Sequence, residues 1–142
     1  MFFYGTIHPM KKSFRKDILN FVKNKYHIAE DHPWAKYPDF AVLRHPDNKK
    51  WFGLIGNVAY EKLGLSDDGI TDLLNVKTDP IVIGSFIKQD GIMPAYHMNK
   101  ASWVSILLDG RVPLKDIEFL LNVSFELTKT KNKNKIIKNK RK

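Results

Sequence analysis

The chain has 142 residues, a formal charge of +9 at pH 7 and no cysteine, which excludes disulfides, thiolate metal sites and cysteine nucleophiles. Hydrophobic residues make up 43% of the sequence, enough for one folded domain, and no apolar run approaches the roughly 20 residues of a membrane helix. The apolar start, residues 1–5, is too short for a signal-peptide core. We therefore expect a soluble cytoplasmic protein with no membrane partner.

The positive charge is concentrated at the C-terminal end. Residues 129–142 hold eight of the 24 Lys and Arg residues and none of the 15 acidic residues, so the rest of the chain carries a charge of about +1. This lysine-rich segment has little apolar surface with which to offset ordering entropy, and we expect a disordered tail. The predicted organisation is an extension over residues 1–9, a domain over 10–128 and the tail over 129–142.

The first half of the domain predicts one helix followed by a hairpin. Phe14, Ile18, Phe21 and Val22 recur at the spacing of one helical stripe, which predicts a helix over residues 11–25. Residues 40–44 and 51–58 then predict two strands, joined by a polar turn over 45–50.

The second half predicts three more strands and two helices. Residues 70–77 predict a strand, and Asp79 and Pro80 are typical of the start of a short helix over 80–88. Short strands follow near 92–97 and 102–108, and Pro113 begins a last helix that ends near residue 128. Its predicted buried face consists of Ile117, Leu120, Leu121, Ser124 and Phe125. The sequence thus predicts an α+β fold, with an antiparallel sheet of about five strands packed by the first and last helices.

Motifs for catalysis and cofactor binding are missing from the sequence. The five histidines, at positions 8, 27, 32, 45 and 97, form no metal-binding pair with carboxylate support. There is no nucleophile elbow and no phosphate-binding glycine loop, and the carboxylates are scattered in turns and caps. We expect no catalytic residues, no metal and no cofactor.

The densest group of polar side chains is His97, Asn99 and Lys100, within residues 94–100. A histidine, an amide and an ammonium this close together are suited to hold an anion or a base edge. Alternatively, the segment only reverses the chain, with Asn99 bonded to local backbone and Trp103 filling the core. The sequence leaves both interpretations open.

Aromatic residues interleaved with cations provide the second signal. Such mixtures bind nucleic acid through phosphate contacts and base stacking, although they also occur in ordinary strands with solvated lysines. The candidate contact residues are Trp34, Lys36, Tyr37, Arg44 and Lys77.

Three stretches carry a resemblance to a known family. They are residues 34–44 (Trp-Ala-Lys-Tyr-Pro-Asp-Phe-Ala-Val-Leu-Arg), residues 74–77 (Leu-Asn-Val-Lys), and residues 94–100 (Pro-Ala-Tyr-His-Met-Asn-Lys) continuing to Trp103. Together with residues 108–110 and the last helix they resemble the MmcQ/YjbR family, over roughly residues 11–128. The resemblance implies a frataxin-like (CyaY-like) fold and a proposed DNA-binding role through a double wing of β-hairpins. It brings no catalytic residues.

These observations favour a nucleic-acid-binding module, with DNA as partner, over an enzyme. The alternative is a small-ligand or protein-interaction module with a pocket around His97, Asn99 and Lys100. Iron handling, which a frataxin-like fold would suggest, is disfavoured because the first helix is basic and contains Asp17 as its one acidic residue. The oligomeric state is not predicted.

Overall fold

Five strands and two long helices form the framework of residues 12–131, the part of the chain that the computed structural model describes. The elements are α1 (Arg15–Tyr26), β1 (Ala41–Arg44), β2 (Trp51–Ala59), a 3-10 helix (Tyr60–Leu63), β3 (Ile70–Lys77), α2 (Pro80–Ile83), β4 (Ile92–Pro94), β5 (Trp103–Leu107) and α3 (Leu114–Thr128). The strands pair antiparallel in the order β1-β2-β3-β5-β4. The predicted α+β fold with a five-stranded antiparallel sheet is confirmed.

Several predicted elements differ at their ends from the observed ones. The first helix begins at Arg15 instead of residue 11 and ends at Tyr26 instead of residue 25. The helix predicted over residues 80–88 is regular only over Pro80–Ile83, because several of the bonds beyond Gly84 span three residues and form irregular turns, as in Phe86 N to Ile83 O at 2.8 Å. Strand β4 ends at Pro94 instead of residue 97, since the chain there leaves the sheet edge and His97 adopts a left-handed φ of 63°. The predicted extension over 1–9 and residues 132–142 of the predicted tail lie outside the described residues.

Helices α1 and α3 cover one face of the sheet. Ile18 and Val22 of α1 join Ile117, Leu120 and Leu121 of α3 in the main core, where they pack with alternate residues of β3 and β5 such as Leu74 and Ile106. Because successive side chains of a strand point to opposite faces, Leu73 and Leu107 lie on the other side. There they belong to a smaller cluster with Val58 and Tyr60. Within residues 12–131, this second face is bordered by loops and not by long helices.

A buried serine ties α3 to the sheet. The Ser124 hydroxyl donates to the Phe52 carbonyl at 2.7 Å and accepts from the Lys77 backbone N–H at 2.9 Å. The sequence places Ser124 on the buried face of the last helix, and these two bonds satisfy its polar group there. These bonds hold α3 against one face of the sheet.

Candidate functional site

An open cleft of about 820 Å³ lies on the sheet face opposite α1 and α3. Strand β2 provides its floor, the loop before β1 one wall, and the segment after β4 the other wall. We call it the aromatic cleft and define it by Trp34, Tyr37, Phe40, Trp51, Tyr96 and His97. Its volume falls within the range of about 300–1,000 Å³ that is usual for ligand sites.

The first wall is a loop held by backbone hydrogen bonds. Asp31 and Val42 exchange two of them, at 2.9 and 2.8 Å, and the Tyr37 N–H donates to the Trp34 carbonyl at 3.0 Å. This turn leaves the side chain of Trp34 37% exposed and that of Tyr37 59% exposed. Large aromatic rings are thus displayed beside the floor instead of being buried in the core.

The rings in this wall pack edge to face. The Trp34 and Trp51 centroids are 5.9 Å apart at an interplanar angle of 78°, and the Tyr37 and Phe40 centroids are 5.9 Å apart at 61°. In such pairs one ring presents its edge, so at most one ring face is covered by the partner. By contrast, Tyr26 and Phe125 in the core are stacked, with centroids 3.9 Å apart. Tyr37, which is 59% exposed and has one such partner in the described part of the chain, therefore retains a ring face that a planar ligand can stack on.

The second wall is fastened to the sheet by two buried polar side chains. Asn75 Nδ2 donates to the Tyr96 carbonyl at 3.0 Å, and the Tyr96 N–H donates to Ser105 Oγ at 2.9 Å. The Ser105 hydroxyl in turn donates to Asn75 Oδ1. These bonds place Tyr96 over the sheet, and the His97 ring lies 3.9 Å from the Tyr96 ring.

The three polar residues predicted to act together are separated by the fold. His97 lines the cleft, whereas Asn99 Oδ1 accepts from the Ala101 N–H at 2.9 Å and Lys100 Nζ donates to the Ala95 carbonyl at 2.7 Å. Both of the latter side chains bond local backbone; the turn-stabilising interpretation predicts this for Asn99 but not for Lys100. Trp103 is half-buried rather than fully buried in the core.

The predicted cations occupy different surroundings. Arg44 pairs with Asp31 at 2.9 Å and its guanidinium lies 5.9 Å from the Trp51 ring centroid. Its Nε is buried and has no hydrogen-bond partner among residues 12–131. Lys36 is exposed next to Tyr37, and Lys77 lies opposite Trp103 in the pairing of β3 with β5.

One basic residue that lines the cleft was not predicted from the sequence. Lys62 lines it, because the 3-10 helix after β2 folds back toward the floor. A glycine at the end of a helical turn was the available signal: Gly64 caps this helix with a φ of 76°.

Two groups with shifted pKa values serve the fold. Burial lowers the pKa of His45, whose Nε2 lies 2.8 Å from Thr128 Oγ1. Burial opposes ionisation of Asp109, but hydrogen bonds from Tyr60 and Arg111 outweigh it and lower the pKa of this carboxyl. Asp109 is therefore more than a turn residue, since it joins Tyr60 to Arg111.

Within residues 12–131 no three His, Asp or Glu side chains are grouped so that they could hold a metal ion. None of the helices in that stretch is long and apolar enough to cross a membrane.

Residues 23–127 match the YjbR family model. The chain belongs to this family. It is 48% identical over 115 residues to the uncharacterized protein YyaQ of Bacillus subtilis (strain 168), an alignment that covers 81% of this chain and 98% of YyaQ. The family resemblance seen in the sequence is thus confirmed.

Solved structures share the fold of this YjbR protein. A crystal structure of a Pseudomonas syringae protein is 43% identical, covers 81% of this chain and 98% of its own, and superposes with a TM-score of 0.77. A Deinococcus radiodurans protein, 23% identical, covers 89% of this chain and 86% of its own with a TM-score of 0.62, which shows the fold alone. The frataxin-like (CyaY-like) assignment stays a prediction.

Proposed function

We propose that this YjbR protein is a non-enzymatic, cytoplasmic nucleic-acid-binding protein, with DNA as partner, whose contact surface is the aromatic cleft together with the lysine-rich C-terminal segment. The observation that supports the proposal most is the exposure of Trp34 and Tyr37 beside Lys62 in an open cleft. Proteins that bind nucleic acid combine rings for stacking with cations for phosphates in this way.

The charge distribution supports the same proposal. Residues 129–142 carry eight basic residues and no acidic one. Such a segment attracts polyanions over several ångströms, independently of their nucleotide sequence. In this proposal the C-terminal segment raises the local concentration of nucleic acid, and the cleft makes the short-range contacts.

The hairpin of β1 and β2 adds cations near the cleft. Its turn carries Lys49 and Lys50, both exposed, and Lys50 directly precedes Trp51 on the cleft floor. In the proposed role this hairpin is one of the wings implied by the family resemblance, with its lysines on phosphates.

A small-ligand or protein-interaction role is the second candidate. The concave, mostly apolar shape and the volume of about 820 Å³ favour it, since small-molecule sites share these features. Of the three polar residues expected in such a pocket, His97 is the one that lines the cleft. A ligand here would rely on stacking and on few polar contacts.

A charge-matched pair of variants tests the leading proposal. In the full chain, Lys36→Gln/Lys62→Gln removes one exposed cation next to Tyr37 and one cation that lines the cleft. The control Lys88→Gln/Lys115→Gln removes two exposed cations elsewhere on the domain. Binding of fluorescein-labelled DNA, single-stranded and duplex, would be followed by anisotropy over a range of salt concentrations. We expect the cleft variant to lose about 1.5 units from the slope of log K against log salt, since each phosphate contact contributes about 0.7–0.9.

The control variant Lys88→Gln/Lys115→Gln should keep most of the wild-type slope of log K against log salt. Equal slopes for the two variants would contradict a role for the cleft in DNA binding. If the wild-type chain binds neither form of DNA at low salt, DNA is not the partner, and if it binds no RNA either, the nucleic-acid proposal fails as a whole.

A further inference from the structure

We propose that the aromatic cleft binds unpaired bases of a single-stranded nucleic acid, with Trp34 and Tyr37 as stacking platforms and Lys62 as a phosphate contact. This inference rests on the proposed nucleic-acid function and specifies its substrate class. It follows from the shape of the cleft, the state of its rings and the position of its cation.

The shape of the cleft favours a strand whose bases are free to turn outward. The loop of residues 34–40, which carries Trp34 and Tyr37, and the segment of residues 96–98 form the two walls of the cleft, with β2 as the floor. The bases of a duplex are stacked within the helix and present only their edges in the grooves, where a protruding helix or ribbon reads them. A concave site cannot bring its rings against the face of such a base, whereas an unpaired base can enter it.

Both proposed stacking rings are partly exposed, Trp34 at 37% and Tyr37 at 59%. Trp34 contacts both Phe40 and Trp51 edge to face, at centroid distances of 6.3 and 5.9 Å. Tyr37 is the most exposed of the large aromatic side chains in the described part of the chain. A base that stacks on either ring would remove apolar surface from water without breaking a core contact, and each such stack is worth about 1–3 kcal/mol.

The cation lies where the backbone of a bound strand would pass. Lys62 lines the cleft, and the exposed Lys36 and Lys50 each stand one residue from a ring of the cleft, Tyr37 and Trp51. Acidic residues also lie near the cleft. Asp39 accepts a hydrogen bond from Asn57 Nδ2 at 3.1 Å, and a neighbouring pocket that shares Ala59 and Ile70 with the cleft is lined by Glu61, Asp67 and Asp68. The phosphates are therefore expected on the side of Lys36 and Lys50. Because the cleft is open to solvent, a polymer can enter and leave it while its phosphates stay on the lysine-bearing rim.

The fastened wall supports binding of a flexible strand. Tyr96 and His97 are positioned by the buried bonds to Asn75 and Ser105, so the second wall is formed before a ligand arrives. Preorganised walls lower the ordering cost of association, which is high for a single strand that is itself flexible.

The test compares four ligands with the full chain. They are a fluorescein-labelled single strand of about 12 thymidines, the equivalent uridine RNA strand, a duplex of equal length, and a strand of abasic sites with the same number of phosphates. We expect one or both of the base-bearing single strands to bind about tenfold or more tightly than the duplex and the abasic strand. The ratio of the DNA strand to the RNA strand identifies the natural polymer.

Substitutions then locate the site. Trp34→Ala/Tyr37→Ala should weaken single-strand binding by about 30-fold or more, the equivalent of two stacks of at least about 1 kcal/mol each, and leave binding of the abasic strand unchanged. Tyr37→Ala alone, at a ring that is 59% exposed, provides a variant that retains the fold and should show a smaller loss. Phe119→Ala on α3, at a ring that is 50% exposed, is the matched control and should change nothing.

Different failures separate the two proposals. If duplex and abasic strands bind as tightly as the thymidine and uridine strands, the inference is overturned while nucleic-acid binding stands. If no strand binds, both proposals fail. If thymidine monophosphate binds as tightly as the strand and Tyr37→Ala weakens it equally, the cleft is a small-ligand site and the inference is overturned.

Discussion

Ser105 on β5 and Asn75 on β3 face each other in the sheet register, and the Ser105 hydroxyl donates a hydrogen bond to Asn75 Oδ1. Both residues are buried, and between them they satisfy the backbone N–H and carbonyl of Tyr96. A two-residue polar contact inside the sheet thus fixes one wall of the cleft, from positions that the cleft does not expose.

Ser105→Ala should therefore destabilise the protein and loosen the cleft. The substitution leaves the Tyr96 N–H and Asn75 Oδ1 without their partner, and an unsatisfied buried polar group costs about 1–3 kcal/mol. Urea unfolding should show this loss. The exposed Ser85→Ala is the control and should stay within about 0.5 kcal/mol of wild type. A Ser105→Ala protein as stable as the control would mean that the wall does not depend on this bond.

His45 should make stability depend on pH. Burial lowers the pKa of His45 below its usual value of 6.5, against the opposing effects of Asp47, the Phe125 carbonyl and Glu126. The unfolded chain then binds the proton more tightly than the folded protein. The contribution of His45 to the free energy of unfolding is therefore complete above pH 6.5 and is lost as the pH falls through the lowered pKa. One such group changes the unfolding free energy by at most about 1.4 kcal/mol per pH unit.

The measurement is urea unfolding of wild type and His45→Gln at several values between pH 7.5 and 5. Glutamine can still bond Thr128 Oγ1 but does not titrate, so its curve should lack this part of the pH dependence. Parallel curves for the two proteins would show that the pKa of His45 is the same in the folded and unfolded states.

The C-terminal lysines should account for most of the salt dependence of DNA binding. Glutamine substitution of the six basic residues at positions 133, 135, 138, 140, 141 and 142 removes their charge and keeps the chain length. We expect the slope of log K against log salt to fall by up to about 5 units for duplex DNA, at about 0.9 per contact. Anisotropy titrations at several salt concentrations measure it. An unchanged slope would place the phosphate contacts on the domain.

Arg111→Ala should unfold the protein at lower urea. The guanidinium Nε donates to both carboxylate oxygens of Asp109, at 3.1 and 3.0 Å, and Nη2 donates to Asp67 at 3.0 Å. The Asp109 side chain is 7% exposed, so loss of the cation leaves a largely buried charge held by the Tyr60 hydroxyl and one backbone N–H. We expect a loss of about 3 kcal/mol.

Two variants sharpen this measurement. Arg111→Lys keeps the charge but cannot donate through a planar fork, so it should lose less than Arg111→Ala. The exposed Lys115→Ala on α3 is the matched control for loss of a cation and should remain near wild type. If Arg111→Ala behaves like this control, Asp109 is adequately satisfied by Tyr60.

The cleft shows where inference from the sequence ended. Trp34, Tyr37 and His97 were predicted as contact residues, and the fold brings them to the same cleft. Lys62 was not predicted, because its position depends on a four-residue 3-10 helix, which is too short to show a periodic pattern of apolar residues. Asn99 and Lys100 were grouped with His97 because they are neighbours in the chain, but both bond local backbone.

The sequence by itself determined the order of the strands and of the main helices along the chain, because the signals for these elements are local. The stripe of Ile117, Leu120 and Leu121 predicts the buried face of α3, and the strand predicted over residues 70–77 is β3 to the residue. Strand order in the sheet, by contrast, depends on contacts between residues that are far apart in the chain. Only the tertiary structure placed β3 beside β5, where Asn75 meets Ser105 and together they hold Tyr96 across the cleft from Trp34. A contact between side chains 30 residues apart in the chain leaves no periodic trace in the sequence, because it is set by packing and hydrogen bonding in three dimensions.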